Sequence, residues 1–112
     1  MEQFARTISV IGEPAFQRLQ AAHVAVIGVG GVGAACAEAL ARSGVGRITL
    51  MDHDSVAITD LNRQLIALHS TLGQQKTAVC AQRLLDINPD LQLKALPLFY
   101  GEETRDQLDF SN

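Results

Sequence analysis

Apolar positions along the chain fall alternately into short unbroken runs and helical stripes. His23-Val24-Ala25-Val26-Ile27-Gly28 is a compact apolar run of strand length, closed by glycine. Arg47-Ile48-Thr49-Leu50-Met51-Asp52 repeats the pattern, β-branched in the middle and acidic at its end. Neither run alternates strictly with polar residues, as expected of strands in a parallel sheet covered on both sides. Leu91 to Leu96 alternates and predicts a third strand.

Helices are predicted between these runs. Gly30-Gly31-Val32-Gly33 opens an alanine-rich helix from Ala34 to about Ser43, and Gly44 and Gly46 end it. A second long helix runs from about Lys76 to Ile87 with Val79, Leu84 and Ile87 on one face. Asn88-Pro89-Asp90 stops it, because proline disfavours helix at the residue before it. Ahead of the first strand, Gly12-Glu13-Pro14 followed by Ala15, Phe16, Leu19 and Ala22 predicts a short helix with Pro14 in its first turn. Asp54 to Ser70 is polar and irregular, with room for one short helix. Glu102 to Leu108 predicts a last, weak helix whose charges form a solvated face.

The order helix, then β-α-β-α-β, with right-handed crossovers, predicts an α/β fold: a Rossmann-like parallel sheet with helices on both faces. Residues 1–112 suit a single unit, and Asp109-Phe110-Ser111-Asn112 stand where another strand is expected. The chain is therefore expected to be the N-terminal nucleotide-binding part of a larger domain.

Composition narrows the classes. Hydrophobic residues make up 47% and charged ones 19%, enough to bury a core and too apolar for disorder. The formal net charge of -3 supplies no general attraction for nucleic acid, so a nucleic-acid partner would need a basic surface elsewhere. Cys36 and Cys80 form no CxxC pair and are expected as buried, reduced thiols of a cytoplasmic protein. No secretory leader is expected from the first residues, and no apolar run approaches the roughly 20 residues that span a membrane.

The glycine loop carries the chemistry. Gly28-Val29-Gly30-Gly31-Val32-Gly33 follows a strand and opens a helix, the context in which glycines permit a tight turn, close approach to phosphate and tight helix–strand packing. Asp52 ends the next strand about 20 residues on, where a carboxylate can accept hydrogen bonds from ribose hydroxyls. The fingerprint alone leaves a nicotinamide dinucleotide and ATP both open. Arg63 and Lys76 tilt the balance, because a guanidinium fork and an ammonium suit a triphosphate and the charge that develops as pyrophosphate leaves.

The series GxGGxG, then Asp52-His53-Asp54-Ser55-Val56, then Asn62-Arg63-Gln64, then Gly73-Gln74-Gln75-Lys76 resembles the ubiquitin-activating-enzyme-like superfamily of ThiF, MoeB and HesA proteins. The resemblance covers nearly the whole chain. It implies that Gly28, Gly30, Gly31, Gly33, Asp52, Asp54, Asn62, Arg63 and Lys76 hold ATP, with magnesium as its counter-ion. It also implies a homodimer in which Arg6 reaches the partner's nucleotide, so that Arg6, Arg63 and Lys76 act in catalysis. No metal ligand is assigned in this chain.

Within the superfamily, Glu38 to Gly44, Asn62-Arg63-Gln64 and Ala67 to Thr71 look most like the branch that dehydrates threonylcarbamoyladenosine in tRNA. That branch implies adenylation of a threonyl carboxylate, then ring closure with loss of AMP. The alternatives are activation of a ubiquitin-like sulfur-carrier protein, a nicotinamide-dependent oxidoreductase, and a fragment that only binds nucleotide or dimerises. Two departures stand out. Asp60 replaces the usual Asn and is expected to repel ATP unless a metal neutralises it, and Gln3 replaces an arginine. His23 is expected to be structural and neither cysteine to be a nucleophile, while a place near the base is only a minority alternative for His53, between two acidic residues.

Overall fold

A computed structural model describes residues 2–108. Strands β1 (His23–Ile27), β2 (Arg47–Met51) and β3 (Gln92–Leu96) form one parallel sheet in the order β1-β2-β3. His23 pairs with Arg47 and Arg47 with Gln92, so the three strands start level and end level. Strand β2 is central, and Ile48, Thr49, Leu50 and Met51 are all buried. That accounts for a strand without polar alternation.

Helix α3 (Gly31–Ser43) joins β1 to β2, and α4 (Lys76–Ile87) joins β2 to β3. Ala34, Ala37 and Ala41 of α3 turn inward onto Ile48 and Leu50, joined by Val79, Cys80 and Leu84 of α4. Each fully buried Leu or Ile contributes roughly 1.5–3 kcal/mol. Glu38 ties the two helices together by accepting from Arg83, and it pairs with Arg42 one turn along. The Arg83 hydrogen bond holds its carboxyl below the usual range.

The Rossmann-like sheet is as expected, but its covering differs. Two right-handed crossovers that step in the same direction put both helices on one face. Among the described residues the other face carries polar side chains instead, with His23 Nε2 bonded to Thr49 Oγ1 at 2.8 Å and Arg47 donating to Gln92. Cys80 is buried as expected, whereas Cys36 is exposed. Ala34 and Ala37 face the sheet, and the 3.6-residue period turns Cys36 between them toward solvent.

The N-terminal segment holds two helices, α1 (Ala5–Ile11) and α2 (Glu13–Ala21), where one was expected. Gly12 at φ +86 breaks the chain between them. None of the seven residues of α1 is buried, so its sequence shows no apolar stripe. It is anchored from outside: Phe4 packs on Phe16 at 5.4 Å, and the Gln3 amide donates to the Ile87 carbonyl. The expected helix from Glu102 reduces to a single 3-10 turn at Arg105–Gln107, and Asp109 to Asn112 lie outside the described residues. No helix among the described residues is long and apolar enough to cross a membrane.

Candidate nucleotide site

Parallel strands present their carboxyl ends to one side, and ligands of such sheets bind in the crevice there. At this end β1 turns into the glycine loop at Gly28, whose φ of +89 suits glycine. Gly33 is fixed by contact rather than torsion: a Cβ there would fall 1.6 Å from the Gly28 carbonyl oxygen. Helix α3 begins at Gly31 with no side-chain cap, so the N–H groups of its first turn stay available to an anion.

Asp52, just past β2, organises this loop. Its Oδ2 accepts the Val29 N–H and its Oδ1 the Asp54 N–H, both at 2.8 Å. A carboxylate oxygen has two lone pairs, so each retains capacity for a further donor such as a ribose hydroxyl. A cleft of about 290 Å³ opens beside it, lined by Gly28, Asp54, Leu98, Phe99 and Tyr100. His53 meets the Phe99 ring edge-on at 5.1 Å and pairs with Asp54 at 3.3 Å.

The second group of residues arrives through backbone pairing. Val56 N–H bonds the Gln74 carbonyl, and Lys76 N–H bonds the Asp54 carbonyl. These bonds bring the start of α4 beside the segment after β2. Lys76 is thereby buried, with its Nζ 3.5 Å from Asp60 Oδ2. Arg63 lies with Nη2 3.8 Å from Asp60 Oδ1, and its Nη1 donates to Thr59 O and to Asn62 Oδ1. Asp60 also accepts the Ala57 N–H at 2.9 Å and the Gln64 amide at 3.2 Å. The Ala57 hydrogen bond foremost, and then Lys76, hold its carboxyl below the usual range.

The glycines, Asp52, Asp54, Asn62, Arg63 and Lys76 thus gather at one end of the sheet. Arg6 does not join them within one chain. It is exposed on α1, whose anchor at Ile87 lies at the far end of α4 from Lys76. Asp60, expected to face the phosphate region, is paired there with Lys76 and Arg63 of the same chain.

Comparison with known proteins fixes the lineage. The model of the ThiF family matches residues 4–110. The chain belongs to the ThiF family. It is 53% identical over 107 residues to the tRNA threonylcarbamoyladenosine dehydratase of Bacillus subtilis (strain 168), a match covering 96% of this chain and 42% of that protein. It is 41% identical over 80 residues to the sulfur carrier protein ThiS adenylyltransferase of Escherichia coli (strain K12), covering 71% of this chain and 32% of that protein. The crystal structure of the E. coli tRNA N6-threonylcarbamoyladenosine dehydratase in complex with ATP superposes with a TM-score of 0.91 at 42% identity. That superposition covers 95% of this chain and 44% of that one. The chain therefore spans less than half the length of these ThiF-family relatives.

Three features of this ThiF-family site were not read from the sequence. Phe99 and Tyr100 follow β3 without any motif, and only the sheet order places them beside Asp52. Gln64 is buried against Gly30, with its Oε1 lacking a partner among the described residues. The third is a grouping of possible metal ligands: Asp52, His53 and Asp54 have ligand atoms within 4.8 Å of one another. It does not fit magnesium, which demands near-octahedral oxygen ligands, because one of the three groups is an imidazole.

Proposed function

We propose that this is the nucleotide-binding part of an ATP-dependent adenylating enzyme. Its acceptor is proposed to be threonylcarbamoyladenosine in tRNA. The observation that carries the reading is the convergence of Lys76 and Arg63 on the end of the sheet where Asp52 holds the glycine loop. A dinucleotide would need no such pair of cations. ATP would lie with its ribose at Asp52, its base in the cleft by Phe99, and its phosphates along Gly30 to Gly33 toward Arg63 and Lys76. The acceptor carboxylate would attack the α-phosphate and release pyrophosphate. Ring closure on the activated carbonyl would then release AMP. The protein's part is to position the reactants and stabilise developing charge.

Similarity to the two dehydratases favours tRNA as acceptor over a sulfur-carrier protein, the alternative that the ThiS adenylyltransferase keeps open. Magnesium is proposed to arrive with ATP. The exposed Arg6 fits a homodimer in which it reaches the partner's nucleotide. A cytoplasmic location follows from the proposed tRNA substrate.

Titration with magnesium-ATP and, separately, NAD tests the proposal. ATP is expected to bind and NAD not to. Lys76→Ala should weaken ATP at least tenfold, since a charge-assisted hydrogen bond is worth about 1.5–3 kcal/mol. Binding of NAD in place of ATP would overturn the proposal.

A further inference from the structure

Asp60 is buried beside the two cations of the site. It is 6% exposed, and both carboxylate oxygens are shared between backbone, amide and cations. Its partners are the two cations assigned to phosphate above, so this inference rests on that assignment. Locally, Lys76 and Arg63 supply two positive charges and Asp60 removes one. The contacts to Lys76 and Arg63, at 3.5 and 3.8 Å, are longer than the 2.7–2.9 Å of a strong charge-assisted hydrogen bond. The cations are thus held in place without being saturated, and each keeps further donors. Asp60 also sets the Gln64 amide: Nε2 donates to Oδ1, which leaves Oε1 buried and unpartnered beside Gly30. A network selected for stability alone would satisfy that acceptor.

We infer that Asp60 is a positioning residue that competes with nucleotide phosphate for Lys76 and Arg63, and so sets how strongly the site discriminates nucleotides by phosphate charge. With Asp60 in place, part of the attraction for each added phosphate goes to displacing the carboxylate. Asp60→Asn keeps an acceptor for the Ala57 N–H and removes the charge.

Two measurements on the purified protein test this. In the first, ATP, ADP and AMP are titrated against wild type and Asp60→Asn. The variant is expected to bind ATP about tenfold more tightly, the scale of one partly buried charge, with a smaller gain for ADP and least for AMP. Equal changes for all three, or weaker ATP binding alone, would overturn the inference and leave Asp60 a structural residue. Failure of wild type and variant to bind any of the three would overturn the ATP-site reading itself, and the competition with it. The second measurement needs no variant. Lys76 should acetylate at least tenfold more slowly than the exposed Lys94, and ATP should change its rate more than AMP does. Equal labelling of the two lysines would overturn the inference even if Asp60→Asn fails to fold.

Discussion

At the scale of single residues the site is built from two kinds of constraint, and only one shows in a sequence. Gly33 belongs to the visible kind. A glycine closing a loop before a helix announces close packing, and the carbonyl of Gly28 stands where a Cβ would go. Gly33→Ala should therefore cost more than the ~1–3 kcal/mol of ordinary overpacking, because backbone rather than a mobile side chain must give way. Gly31 is a control in the same loop, since a Cβ there meets nothing within 4 Å. Chemical denaturation should show Gly31→Ala near wild type and Gly33→Ala strongly destabilised or unfolded. Equal stabilities would refute the close-contact account. Asp60 belongs to the hidden kind. Its sequence position foretold a carboxylate near phosphate, but its pairing with Lys76 depends on backbone bonds between residues 54–56 and 73–76. No periodicity encodes those bonds.

At the scale of elements, legibility followed burial. Strands β1, β2 and β3 and helices α3 and α4 were read nearly to their ends, because each buries a face and so carries a pattern. Helix α1 buries nothing and was missed, and Cys36 was misplaced because burial was inferred from residue type rather than from its position around α3. Cys80 shows what true burial on α4 does. Desolvation pushes its thiol from 9.0 up to about 11. The folded chain then holds this proton more tightly than the unfolded chain, whose thiol ionises near its ordinary value. The stability gained is complete below pH 9 and is lost as the pH rises toward 11. By pH 10.5 the loss should reach about 2 kcal/mol. Denaturation at pH 8 and 10.5 isolates this, because Cys80→Ala lacks the group. The stability advantage of wild type over the variant should narrow by that amount. A gap that stays constant with pH would show that the thiol is not protected.

At the scale of the whole molecule, two crossovers bring Gly28, Asp52 and Phe99 to one end of a three-stranded sheet. The order of those strands was legible, because consecutive right-handed units leave few alternatives. Among the described residues the outer edges of β1 and β3 have no strand beside them, and unpaired parallel edges are templates for association. Ile27, Val32 and Phe99 are also exposed, and all three lie toward the end of the sheet that carries the glycine loop. The polar open face, with Arg47, Thr49 and Gln92, opposes stacking of sheet on sheet. Self-association of residues 1–112 should therefore run through the edge and the exposed apolar residues rather than through that face. Light scattering across a hundredfold range of concentration should give an average mass that rises with concentration. Ala25→Lys, which places a charge on edge strand β1 without touching the helix-covered face, should lower that mass toward a monomer's. A monomer mass for the unaltered chain at every concentration would show that the edge is already protected. An Ala25→Lys variant that associates as strongly as its parent would move the contact to the glycine-loop end of the molecule.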